Sequence, residues 1–365
     1  MIANDVTEAV VTSDPTRITA MRAEIAAHPD PWQIHLSLFP AVQRVLNPPF
    51  INPHLPKMYG VCRDFVPYLS REGVASLVYL ELVEYARRVK LEIIPRQPPL
   101  FRPVTFEEIE GSIAQNERDR AALLLDGFLR QQGPVELARR LLLLGSGYLE
   151  KSLRHSVSCT AFILLELLQR DATEVWPTLV LLADYFCKGG FHTTPGLMKY
   201  PPAPPLRDLL YRSVTGSGFV DIHHTITLYA LERTRSFMSR EEQNHLIGAW
   251  AAWMDTKQSY QKVYPQDGTI VDYDTFRQAF LQLDAEHLIA LAGGMIERAD
   301  DRSRLGAFLV TSVCDLYDGN YDPHYLTGLG ALLWVLKNYH DEAGLAQNAL
   351  YQYLDFYFSA MRSKR

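Results

Sequence analysis

The sequence predicts an all-α protein, built as one large multi-helix domain. Three observations predict it. Apolar residues recur at three- and four-residue steps in segment after segment. Alternating strand patterns joined by tight turn pairs are nearly absent. The composition, 47% hydrophobic and 21% charged over 365 residues, supplies the core that many helices need.

Taken in order, the helical segments start and stop for local reasons. "VTFEEIEGSI" reads as a helix start, with Thr105 as N-cap and Glu108 three residues on. "RDRAALLLDGFLRQQG", "PVELARRLLLLGSGYLEKSL", "CTAFILLELLQR", "LIGAWAAWM", "SRLGAFLVTSVCDLY" and "ALYQYLDFYFSAM" each carry the helical repeat. Proline punctuates them. "IPRQPPLFRPV" (94–104) separates an N-terminal helical part, residues 1–93, from the main helical body, residues 94–365; we read the two as one structural domain. "TTPGLMKYPPAPPLRD" (193–208) reads as an extended loop and "VYPQDGTIVDYD" (263–274) as irregular. A weak internal echo appears at a shift of 169 residues, where Tyr148 meets Tyr317, His155 meets His324 and Ser158 meets Thr327.

Composition also excludes functions. A net charge of −6 offers no basic surplus for nucleic acid or for an anionic membrane surface. The four cysteines, Cys62, Cys159, Cys187 and Cys314, lack C-x-x-C spacing, which argues against a zinc ribbon or a disulfide framework. The N-terminus has no signal pattern and no apolar run reaches eighteen residues, so we expect a soluble cytoplasmic protein. No nucleotide or flavin motif appears: the Gly-Ser-Gly at 216–218 does not follow a strand, and no G-x-S-x-G elbow is present. His340-Asp341 has too little chain after it to complete an HD phosphohydrolase site.

The histidines carry the chemical signal. His155-Ser-Val-Ser, His224-Thr-Ile-Thr and His324-Tyr-Leu-Thr share the pattern H-x-[VIL]-[ST], and each opens an apolar helical run. A histidine in a first helical turn points beyond the helix start, and a hydroxyl three residues on lies on the same face. Three such helices converging would give three imidazoles, with Ser158, Thr227 and Thr327 placed to bond the rings or a nearby water. Asp221 and Asp322 are placed to orient His224 and His324. Three separate capping histidines would produce the same pattern. His54, held between Pro53 and Pro56, is a fourth candidate.

Asn52-Pro53-His54-Leu55-Pro56 followed by Met58, together with "IHHTITLYALERT" and "RHSVSCTAFILLEL", resembles the questin oxidase-like family over roughly residues 50–340. Arg154 stands where that family has glycine, and its His-Pro-Leu-Ile-His run is absent. The resemblance implies an all-helical enzyme that uses O2 and a histidine-rich, non-haem iron centre to open aromatic, anthraquinone-type polyketide rings. It points to His54, His155, His224 and His324 as metal ligands, and to a carboxylated lysine. Lys151, four residues before His155, is the lysine on the same helical face.

Two other readings stay open. One is a metal-free helical binding or scaffold protein. The other is a di-iron carboxylate oxidase, which needs Glu-x-x-His on two helices; Glu242-x-x-His245 fits, and Asp221-x-x-His224 and Asp284-x-x-His287 fit loosely. His192, on the loop "KGGFHTTPG", is the candidate acid–base residue. Tyr148, Phe191, Tyr229, Tyr317, Tyr321, Tyr325 and Trp334 are candidates to line a pocket for a flat substrate.

Overall fold

The structure is a computed structural model that describes residues 2–98, 100–149, 152–171, 173–191, 205–216, 218–254, 271–319, 321–340 and 342–363. Among the described residues the chain forms twenty α-helices and three short 3-10 helices. Strand-like pairing is confined there to two isolated bridges, Val45 with Lys90 and Asn47 with Phe50. The fold is all-α.

Local chemistry sets the helix ends. At Phe106–Ala114 the Thr105 hydroxyl accepts from the Glu108 N–H and the Glu108 carboxylate accepts from the Thr105 N–H. This reciprocal cap stabilises the helix by about 1 kcal/mol. Gly133, at φ 84°, ends Arg118–Gln132 and lets Pro134–Ser146 begin on its proline. Leu206–Val214 starts directly after Pro205, so residues 206–208 of the expected loop are helical, and its residues 193–204 lie outside the described residues. Asp272 caps Tyr273–Leu281 by accepting from the Thr275 N–H at 2.8 Å, so residues 273–274 of the expected irregular stretch are helical, and its residues 263–270 lie outside the described residues.

The chain divides into two compact units. The first comprises Met1–Gly60, Glu81–Pro202 and Ala230–Trp250. Within it Arg118–Gln132 packs on Trp176–Gly189, and Pro134–Ser146 packs on His155–Leu167. His155–Leu167 is buried at twelve of its thirteen residues, which makes it a core helix with no solvent face. A close crossing fixes it. A Cβ on Gly145 would stand 2.4 Å from the Ser156 carbonyl oxygen, and the Ser156 hydroxyl donates to the Gly145 carbonyl at 2.8 Å.

The second unit comprises Val61–Leu80, Ala203–Tyr229 and Ala251–Arg365. His324–Asn338 is its core helix, packed on Ala299–Asp315 and Ala343–Arg362. Gly330 lets Val61 approach so closely that a Cβ there would lie 2.5 Å from Val61 Cγ1. Gln352 ties down the chain before the helix Phe219–Arg233. Its amide donates to the carbonyls of Ser213 at 2.7 Å and Gly216 at 3.0 Å, and its oxygen accepts from Thr225 at 2.6 Å. No described helix is long and apolar enough to cross a membrane.

Candidate metal centre

In the first unit, His54 is the first residue of His54–Cys62 and His155 is the first of His155–Leu167. The chain enters the second helix through Leu153 at φ 47° and Arg154 at φ 67°, left-handed conformations that cost a side-chain-bearing residue about 1 kcal/mol each. That turn aims His155 Nδ1 at the Ser152 carbonyl, 2.8 Å away, and the N–H is donated there. Nε2 is then the nitrogen with the lone pair. It faces His54 Nε2 at 2.8 Å, with the rings 79° from coplanar and both buried.

The same two helices meet again one turn on. Lys57 Nζ donates to the Ser158 hydroxyl at 3.2 Å, with the sequence separation of 101 that also relates the histidines. Lys57 is fully buried, and Ser158 is its one hydrogen-bond partner among the described residues. Burial pushes its ammonium down to about 8. Burial also pushes the neighbouring Cys159 thiol up to about 11, so that group is a neutral core thiol. Nearby, the Tyr185 hydroxyl donates to Asn52 at 3.0 Å.

In the second unit, His324 is the first residue of His324–Asn338. One oxygen of Asp322 accepts from its backbone N–H at 2.9 Å and from its ring Nδ1 at 2.6 Å. A carboxylate on Nδ1 fixes the ring and leaves Nε2 as the ligating nitrogen. Here the arrangement departs from the sequence reading. The helix bearing His224 begins at Phe219, so His224 lies in its second turn and not at its mouth. Its ring packs on Trp253, 4.6 Å between centroids, and Asp221 stands 3.8 Å from its Nδ1, beyond a hydrogen bond. His223 is the residue whose ring meets that of His324 edge-on, 4.6 Å between centroids, with its own Nδ1 on the Phe219 carbonyl at 2.7 Å. Successive helical residues point about 100° apart, so only one of the two can take that position.

The three hydroxyls have different settings. Ser158 is engaged by Lys57, whereas the hydroxyls of Thr227 and Thr327 are buried and bond no protein group among the described residues. Lys151 and His192 lie outside the described residues. The carboxylates of the di-iron reading are committed elsewhere. Glu242 is clamped by Arg139 at 2.7–3.1 Å and caps its own helix through Ser239, and His245 bonds Ser146 at 3.0 Å. Asp284 caps a helix start through the His287 N–H. Among the aromatics, Tyr148 packs on Phe191 at 4.7 Å in the first unit; Tyr321 lies 6.2 Å from Tyr317 and 5.8 Å from Tyr325 in the second.

Lys57 and His223 are not among the site residues expected from the sequence. A signal existed for Lys57: it lies three residues after His54, on the same helical face. No family model matches this sequence, and no match is found among the curated proteins or among the solved structures.

Proposed function

We propose that this chain is a non-haem iron oxygenase acting with O2 on an aromatic, polyketide-like compound, as its resemblance to the questin oxidase-like enzymes implies. The observation that carries the metal part is the 2.8 Å approach of two buried Nε2 atoms, His54 and His155, with the Nδ1–H of His155 tied to a carbonyl. His54 and His155 would each supply one imidazole nitrogen to the metal ion.

Among the ligands that the resemblance implies, we take His54, His155 and His324, whose rings are each buried. Asp322 and the Ser152 carbonyl hold two of the rings in the ligating tautomer. Iron in such a site supplies one-electron chemistry toward O2. Lys151 lies outside the described residues, and we assign the role of the carboxylated lysine to Lys57, because burial favours its neutral amine and a neutral amine adds CO2 to give a carbamate and a proton. The family's glycine position also has a physical counterpart: Arg154 has φ 67°, a conformation glycine adopts freely.

One observation favours the metal-free reading. A distance of 2.8 Å is also that of an N–H···N hydrogen bond, in which His54 would donate to His155. The chain loaded anaerobically with Fe(II), then given O2 and a panel of hydroxyanthraquinones, separates the two. The proposal expects O2 uptake that depends on both iron and an aromatic compound; no uptake with any member of the panel counts against it.

A further inference from the structure

His35 is a buried imidazole that the metal reading leaves unused. It lies in the first unit, fully buried, and so does Glu81. Its Nδ1–H donates to one oxygen of Glu81 at 2.9 Å, and the other oxygen accepts from the Tyr85 hydroxyl at 2.7 Å. No lysine or arginine pairs with Glu81 among the described residues. His35 Nε2 is buried and bonds no protein group there. Both faces of the ring are covered. Trp32 lies 3.8 Å away between centroids and 14° from parallel, and Tyr59 lies 4.1 Å away and 5° from parallel. Two rings cannot share one face at those distances, so the indole and the phenol sit on opposite sides of the imidazole. Tyr59 is fully buried and its oxygen accepts from Arg170 at 3.1 Å, whereas Trp32 is half-buried.

This cluster costs stability. A buried carboxylate gives up its hydration, and a buried ring nitrogen without a partner gives up a hydrogen bond. Apolar side chains of the same volume would fill the space as well or better. Polar groups kept inside at such a cost point to a charge that forms beside them. The ring that can take a positive charge here is Trp32, because indole is among the side chains most easily oxidised by one electron. Positive charge on Trp32 polarises the His35 N–H toward Glu81, whose negative charge offsets it where water does not screen it. On the other face the Arg170 guanidinium opposes positive charge on Tyr59, so the charge settles on Trp32.

We propose that Trp32 is a one-electron redox site whose radical cation is held by Glu81 through the His35 ring, and that it gives its electron to the metal centre when O2 has oxidised that centre and no substrate is bound. The redox site rests on the stack alone; its role rests on the metal reading above. Tyr59, the inner ring of the stack, follows His54 by five residues on one helix, about 7.5 Å of rise. The indole loses one electron and keeps its N–H proton, the oxidised metal ion gains that electron, and no bond forms or breaks. A soluble one-electron donor at the half-buried indole then restores the neutral ring.

Flash photolysis of the chelator-treated full chain with tris(bipyridine)ruthenium(II) and a cobalt(III) quencher supplies a ruthenium(III) oxidant and tests the redox site without iron. Transient absorbance and EPR read the tryptophan radical. The wild type should give a long-lived radical, Trp32→Phe should lose it, and Trp176→Phe should keep it. Trp32→Phe leaves a ring against His35, which guards against misfolding. Glu81→Gln keeps the shape and removes the charge, so the radical should decay faster. An unchanged radical in Trp32→Phe overturns the inference, and so does an unchanged lifetime in Glu81→Gln, which would make Glu81 a structural partner only. In the iron-loaded chain given O2 without substrate, the same radical should form in the wild type and not in Trp32→Phe; its absence from the wild type overturns the role. A chain that binds no iron yet gives the radical under ruthenium keeps Trp32 as a redox site while the metal reading fails.

Discussion

His54 meets His155 at 2.8 Å, nitrogen to nitrogen, and Lys57 meets Ser158 at 3.2 Å one helical turn further on. Two helix starts 101 residues apart thus place a histidine pair and a desolvated amine on one buried seam. The rest of the first unit holds that seam in place.

The outer partner of His324 gives the first prediction. Asp322 holds both its backbone N–H and its Nδ1, whereas Asp221 stands 3.8 Å from the Nδ1 of His224. Asp322→Ala should therefore weaken Fe(II) affinity about 10- to 100-fold, the range seen when such a partner is removed. Asp221→Ala should leave it unchanged. Competition against a chromogenic chelator measures both.

Lys57 gives a pH signature in the metal-free chain kept in CO2-free buffer. Its folded pKa, about 8, is below the ordinary 10.5, so between those values the unfolded chain binds more protons than the folded one. Stability should then rise with pH across that window, by about 3 kcal/mol in all. Below pH 8 the full cost of the buried ammonium is present. Lys57→Met removes the cost, so the variant should be the more stable protein at pH 7 and lose that advantage by pH 10. Urea midpoints at the two pH values check the sign.

The helix carrying His155 depends on a contact too tight for any side chain. Gly145→Ala would push a methyl against the Ser156 carbonyl, 2.4 Å away, and should destabilise the fold by about 1–3 kcal/mol while lowering metal content. Gly111→Ala, in a helix with open space around it, should instead stabilise by about 0.5–1 kcal/mol. Thermal melts of the two variants should shift in opposite directions.

The helices were legible because periodicity and caps are local. Thr105 and Glu108 announce a helix start, and that helix begins at Phe106. The first residues His155 and His324 were legible for the same reason, since each follows a break and opens an apolar run. The position of His224 was not, because nothing in "SGFVDIHH" shows that the helix begins five residues earlier, after Gly218 at φ 90°. That early start turns His223 toward His324 and His224 toward Trp253. Lys57 was hidden for another reason. Lysines are seldom fully buried, so burial of this one is a tertiary fact that no window of sequence carries.

Metal content of the purified chain, after anaerobic exposure to Fe(II) and removal of excess, tests the central claim most directly. The account predicts about one iron per chain in the wild type, its loss in His54→Ala, His155→Ala and His324→Ala, and its retention in His224→Ala, whose ring faces Trp253. A wild-type chain that retains no iron, or three alanine variants that all keep it, would contradict the account.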